Sequence, residues 1–124
     1  MITPEQIDRI GKFLIEEIRD VQLDQFDGLV TGQRPFVDYK LRQEVGTHFT
    51  EEELLLIKKI IIYCTDNMLS SLLWNLDKSN NESNVSISVD NQILSEEDRC
   101  LQSELYSDEG WIARFSRYYH EDDV

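Results

Sequence analysis

The stretch from Thr50 to Lys78 constrains the fold more than any other part of the chain. It is long, rich in apolar residues, and free of Pro and Gly. The isoleucines at 60–62 locally favour a strand, but strands rarely exceed ten residues, so a segment of this length favours a helix. Thr50 is a good N-cap, and Glu53 stands at the capping-box position. The sequence therefore predicts a helix over about 50–78, with any bend or split expected near 65–67.

This central helix is apolar on nearly every side. On a helical wheel one face carries Leu54, Ile57, Ile61, Met68 and Leu72, and the only continuous polar strip carries Glu52, Lys59, Asp66, Ser70 and Asp77. A helix of this kind is normally buried. We therefore expect a mostly α, single-domain helical bundle over residues 1–124, in which other elements cover at least two sides of the central helix and the polar strip stays wet. Charged residues break the segment into apolar runs too short for a membrane span.

Charge is the strongest compositional feature of the chain. Its 124 residues include 25 acidic and 12 basic side chains, which gives a net charge of −13. Such a chain repels phosphate backbones and anionic membranes, so we expect neither nucleic acid nor a membrane as a partner. A basic protein partner is compatible with this charge, and an acidic surface that serves only solubility is the alternative. The N-terminal sequence lacks the pattern of a signal peptide, so we expect a cytoplasmic protein.

Residues 3–29 have the pattern of a first helix. Thr3 is an N-cap, Pro4 occupies the first helical position, and Gln6 completes a capping box. The expected apolar face consists of Ile7, Ile10, Phe13, Leu14, Ile18 and Val21. Gly11 lies inside this pattern and suggests a close helix crossing.

The same helix carries four carboxylates, Glu17, Asp20, Asp24 and Asp27, spaced three, four and three residues apart. We call them the acidic stripe. Like charges at these spacings destabilise an isolated helix, so the stripe is the sharpest functional hint in the sequence. It is compatible with a solvated face, with a docking strip for a basic partner, and with a metal site. The last would need ligands from another element. These four are the predicted partner-binding residues.

Shorter patterns lie on either side of the central helix. Residues 36–45 favour a short helix ended by Gly46, with a strand at 35–41 as the alternative. Residues 85–89 alternate apolar and polar side chains, which predicts a strand. A turn at 90–91 would return residues 92–94 as its partner and give a hairpin near 84–94. Pairing with 35–41, or with a second copy of the chain, remains open.

The last third of the sequence predicts two further helical segments. Ser95 is the expected cap of one, and the other carries an aromatic ridge at helical spacing: Trp111, Ile112, Phe115, Tyr118 and Tyr119. We expect this ridge to pack on the central helix, and an exposed recognition surface is the alternative. Cys64 and Cys100 are expected to be buried thiols rather than a disulfide.

Catalytic and metal-binding motifs are not evident in this sequence. His48 and His120 lack metal-ligand spacing and are expected to be structural or surface residues. We therefore predict no cofactor, no metal and no enzyme activity. The favoured hypothesis is a non-catalytic acidic protein–protein interaction module, of the inhibitor or immunity type, that neutralises a basic partner such as a toxin or nuclease. The alternatives are a self-associating structural or regulatory subunit that forms a homodimer, and a small enzyme.

Overall fold

The computed structural model describes residues 2–32, 39–77, 79–94 and 100–118, and it is mostly α-helical with one short hairpin, which confirms the expected fold class. The elements in chain order are α1 (Pro4–Phe13), a π-helical segment (Leu14–Arg19), α2 (Asp20–Thr31), α3 (Tyr39–His48), α4 (Glu51–Leu76), β1 (Ser88–Val89), β2 (Gln92–Ile93), a 3₁₀ turn (Leu101–Glu104) and α5 (Trp111–Phe115). The predictions for Phe36, Ser95, Tyr119 and His120 lie outside the described residues.

Both predicted capping boxes are present. The Thr3 hydroxyl accepts a hydrogen bond from the Gln6 backbone N–H, and the Gln6 side chain accepts one from the Thr3 N–H at 2.9 Å. Thr50 and Glu53 exchange the same pair of bonds at the start of α4. Each box satisfies two backbone donors that a helix N-terminus otherwise leaves unpaired, so the sequence fixes where these two helices begin.

The first helix runs without a break but not as one α-helix, because Leu14–Arg19 is π-helical. A π turn takes in one more residue than an α turn, so it rotates every later side chain about the helix axis. Within and after this segment Ile15 and Leu23 are therefore fully buried, whereas Ile18 is 39% exposed. Phe13, which precedes the π segment, is 56% exposed. The predicted apolar face is correct for Ile7, Ile10 and Leu14 and wrong for Phe13 and Ile18, and Val21 is half-buried.

Helix α4 is the longest element, at 26 residues, but it is not buried on most sides. It packs chiefly against α2, the π segment and the 3₁₀ turn. Its buried residues are Lys58, Thr65, Leu69, Leu73 and Leu76. Its exposed large apolar residues are Leu55, Leu56, Ile60, Tyr63, Met68, Leu72 and Trp74. The expectation that α4 is a buried helix was wrong, because much of its apolar surface is exposed.

The polar strip of α4 is exposed only in part: Glu52 and Lys59 are exposed as expected, whereas Asp66, Ser70 and Asp77 are half-buried. Asp66 accepts a hydrogen bond from the buried Arg19, and Ser70 accepts one from the Gln102 side chain at 2.7 Å. Part of the polar side of α4 therefore faces the protein. The physical reason is that buried cations of the chain need carboxylate partners, and α4 supplies one of them.

Helix α5, which carries Trp111, Ile112 and Phe115 of the aromatic ridge, packs on α1 and the π segment rather than mainly on α4. Tyr118 lies against Lys58 of α4. Trp111 is fully buried and lies flat against Gly11, where an added Cβ would stand 2.3 Å from the indole ring. This contact confirms the close crossing expected at Gly11. The surrounding core comprises Ile2, Ile7, Ile10, Leu14, Ile15, Leu69, Leu73, Leu76, Leu94, Leu101, Leu105, Trp111 and Ile112.

The predicted hairpin is confirmed, and its partner strand comes from the same chain. Ser88 pairs with Ile93 and Val89 with Gln92, in antiparallel register. Asp90 and Asn91 form the two-residue turn with φ of 50° and 66°, the left-handed region that such turns require.

Three smaller expectations were wrong. Cys64 and Cys100 are free thiols, but both are exposed. Gly46 does not end α3, which continues to His48.

The two helical glycines provide a matched test of the α1–α5 contact. Gly11→Ala should destabilise the fold by about 1–3 kcal/mol, because its Cβ overlaps the Trp111 ring. Gly46→Ala should stabilise it by about 1 kcal/mol, because nothing lies within 4 Å and Ala favours the helix. Urea unfolding of both variants measures these changes, and equal stability of the two would refute the contact.

Candidate functional site: a charged cluster and an apolar groove

Charged and hydroxyl-bearing side chains from the π segment, α2, α4 and the residues that follow α5 meet in one cluster. We call it the charged cluster. Its members are Arg19, Asp20, Asp24, Asp27, Lys58, Asp66, Ser116, Arg117 and Tyr118. Three of the four acidic-stripe residues belong to it, and Glu17 lies outside it as an exposed side chain.

Arg19 forms the inner part of the cluster, and its side chain is 3% exposed. Its Nε donates to Asp66 Oδ1 at 2.6 Å, and its Nη1 donates to Ser116 Oγ at 2.7 Å. The π turn directs this last residue of its segment inward, where α4 and the chain after α5 both reach it. One guanidinium therefore joins the first helix to two distant parts of the sequence.

Asp20 is 1% exposed, and its carboxylate is fully engaged by the chain that follows α5. Its Oδ1 accepts from the Ser116 hydroxyl at 2.7 Å, and its Oδ2 accepts from the Arg117 backbone N–H at 2.8 Å. This member of the acidic stripe holds the C-terminal segment in place. It does not present a carboxylate at the surface, so a partner could not reach it in this structure.

The outer part of the cluster is closer to solvent. Asp24 accepts hydrogen bonds from the Arg117 guanidinium and from the Tyr118 hydroxyl. Asp27 is 44% exposed and pairs with the buried Lys58 ammonium at 2.9 Å. That ammonium also lies 4.7 Å from the centre of the Tyr118 ring, within cation–π range. Asp27 is thus partly neutralised but still open to solvent.

Tyr118 has the clearest shift in acidity. Burial raises the pKa of its phenol, and the hydrogen bond to Asp24 with the nearby charges of Asp24 and Asp27 raises it further. A phenol held protonated beside two carboxylates is a hydrogen-bond donor, and the direction of this shift is opposite to that of a catalytic base. The cluster therefore has the chemistry of a structural network.

Beside the cluster, an open groove of about 240 Å³ runs between α2 and α4. Its apolar walls are Phe26, Val30, Leu54 and Leu55. Its polar lining residues are Asp27, Thr31, Glu51 and Lys58, of which Lys58 pairs with Asp27. Glu51 and the exposed part of Asp27 therefore suit the groove to a side chain with an apolar stem and a cationic end. Sequence reasoning missed it, because its walls come from two helices whose relative placement the sequence does not give.

His48, the remaining candidate for catalytic or metal-binding chemistry within the described residues, is exposed at the end of α3. Within the described ranges, no group of three or more His, Cys, Asp or Glu side chains is placed to hold a metal ion. In the same part of the chain, no helix combines the length and hydropathy needed to cross a bilayer.

Comparison with known proteins gives no match. No family model, curated protein or solved structure matches this chain. Functional inference therefore depends on the geometry of the chain itself.

Substitution of Asp20 and of Glu17 distinguishes the members of the acidic stripe that stabilise the fold from those that are only exposed. Asp20→Ala should cost about 3–5 kcal/mol, because it leaves a buried guanidinium and a backbone N–H without this acceptor. Glu17→Ala should stay within about 0.5 kcal/mol of wild type, since Glu17 is exposed. Chemical denaturation measures both, and an Asp20→Ala variant as stable as Glu17→Ala would contradict the assignment.

The raised pKa of Tyr118 predicts alkaline behaviour. Unfolded chains lose this proton near pH 10 whereas the folded chain keeps it, so the contribution of Tyr118 to folding stability falls as pH rises above about 10. At about pH 11, tyrosinate absorbance of native wild type and native Tyr118→Phe should be equal. In denaturant the wild type should absorb by one tyrosinate more. Unequal native spectra would show that Tyr118 ionises in the fold.

Proposed function

We propose that this chain is a non-catalytic protein–protein interaction module that binds a basic protein, and that a Lys or Arg of the partner enters the groove between α2 and α4. The groove carries the proposal. It offers apolar surface for the stem of a long cationic side chain, with Asp27 and Glu51 for its charged end. In its finer form, the proposal is an inhibitor or immunity-type protein that neutralises a basic partner such as a toxin or nuclease.

The distribution of charge supports the same partner. Several basic side chains already pair within the chain, including Arg9 with Asp90 and Arg114 with Asp8. Many glutamates, by contrast, are exposed, among them Glu16 and Glu17 beside the cluster and Glu51 at the groove. An acidic surface of this kind steers a cationic protein toward the molecule and speeds association at low salt.

In this proposal only two of the four acidic-stripe residues interact with the partner. Glu17 and Asp27 are the members that a partner would reach, because Asp20 is buried and Asp24 is bound by Arg117 and Tyr118. We therefore expect Glu17 to contribute to steering and Asp27 to contact the partner directly. Asp20 and Asp24 would hold the surface that presents them.

Charge reversal at adjacent positions tests the groove. The purified chain is used to capture a basic protein from its source cells, and binding kinetics are then measured with that purified protein. Glu51→Lys should weaken binding at least about tenfold, because the new ammonium lies in the groove. Glu52→Lys makes the same change in net charge one residue away and outside the groove lining, so it should cost less than about threefold.

Three outcomes would contradict the proposal. Equal losses for Glu51→Lys and Glu52→Lys would leave only a general effect of charge. An association rate independent of salt between about 20 and 300 mM would remove electrostatic steering. A captured protein with an acidic isoelectric point would remove the basic partner itself.

A further inference from the structure

We propose that two copies of the chain associate through the exposed face of α4, with the two helices antiparallel. The contact face, which we call the α4 stripe, consists of the exposed Leu56, Ile60, Tyr63, Asn67 and Trp74 and the half-buried Ser70. Their spacing alternates four and three, the repeat by which two helices pack along a seam. The groove between α2 and α4 is a separate surface, so this proposal does not depend on the proposed function.

The large apolar side chains of the α4 stripe are exposed in the single chain. Leu56 is 60% exposed, Ile60 52%, Tyr63 68% and Trp74 51%. Side chains of this size expose about 100 Å² each at such fractions, so two copies offer about 800 Å² of apolar surface. Homodimer interfaces are about 65% apolar. At that fraction, about 800 Å² of apolar surface corresponds to a total buried area of about 1,200 Å², the lower end for a specific interface. We therefore expect a dimer of micromolar affinity.

An antiparallel arrangement makes the α4 stripe complementary to itself. A two-fold axis at the level of Thr65 places Leu56 against Trp74 of the second copy, and Tyr63 against Asn67. In the remaining layer, Ile60 meets the half-buried Ser70, whose hydroxyl accepts a hydrogen bond from Gln102 of its own chain, so a large side chain faces a small one. Asn67 provides a polar partner for the Tyr63 hydroxyl, and a single polar position of this kind specifies register.

Charge favours a second copy over a basic protein on this face. Between Ile60 and Leu76 the only charged residue is Asp66, and its carboxylate binds Arg19 of its own chain. The face thus has no free carboxylate in this region for a basic partner to neutralise, and it brings no like charges together between two copies. The α4 N-termini, with Glu51–Glu53, would be adjacent in a parallel pair. In an antiparallel pair they lie about 39 Å apart along the helix axis.

Sedimentation equilibrium from about 5 to 500 µM tests association, a range that brackets the micromolar affinity expected for a small interface. The wild-type mass should rise from 14.6 kDa toward twice that value. Tyr63→Glu and Trp74→Glu should each remain monomeric, with circular dichroism showing that they stay folded. Val85→Glu is the matched control, because Val85 is 59% exposed but lies outside α4, and it should dimerise as wild type does.

The same measurements can overturn the proposal. A wild type that stays at 14.6 kDa across the range would do so. So would Tyr63→Glu and Trp74→Glu variants that dimerise as strongly as wild type, because the contact would then lie elsewhere.

A pair of spin labels tests orientation. The label is attached at Glu52→Cys in a chain that also carries Cys64→Ser and Cys100→Ser, and electron–electron distances are measured at a concentration where the dimer forms. Antiparallel helices place the two labels about 40 Å apart, whereas parallel helices place them within about 20 Å. The shorter distance would refute the antiparallel arrangement.

Discussion

The buried guanidinium of Arg19 is the interaction on which the rest of the structure depends. Taking a charge out of water costs several kcal/mol unless its hydrogen bonds are restored, so the neighbouring elements are constrained to supply acceptors. Asp66 of α4 and Ser116 after α5 supply them, and Asp20 completes the inner cluster. The π turn makes this geometry available, since it rotates Arg19 toward the interior. Local backbone geometry and long-range packing are therefore coupled at one side chain.

This requirement also decides which way α4 faces. With apolar residues on nearly every side, the helix could bury several different faces at similar gain in free energy. The buried cations Arg19 and Lys58 decide between these faces, because each needs a carboxylate from a neighbouring element. Arg19 of the π segment pairs with Asp66 of α4, and Lys58 of α4 pairs with Asp27 of α2. The side of α4 with Asp66 and Lys58 therefore turns inward, and Leu56, Tyr63 and Trp74 turn outward. The pairing of the buried charges therefore leaves an apolar surface of α4 exposed to solvent.

Sequence reasoning succeeded where the controlling interactions are local. Thr3, Thr50 and the turn at Asp90–Asn91 were each read from neighbours within three residues. It failed where a distant partner decides: the face of α4, the burial of Asp20, and the exposure of Cys64. The spacing of the acidic stripe assumed α-helical geometry throughout, whereas Glu17 lies within the π segment and the other three members lie in α2. The position of Asp24 within its helix does not indicate whether Arg117, 93 residues later in the chain, will bind its carboxylate.

The contact of Trp111 with Gly11 joins residues about one hundred positions apart in the chain. Ribosomes add about 5–20 residues each second, which means that α1 waits for at least about 5 s before its partner helix has been made. During that interval Ile7, Ile10 and Leu14, all buried in the finished fold, lack the surface that will cover them. Helix α1 is thus buried by α5 only after about one hundred further residues have been made, and its apolar face stays without this cover in the nascent chain until then.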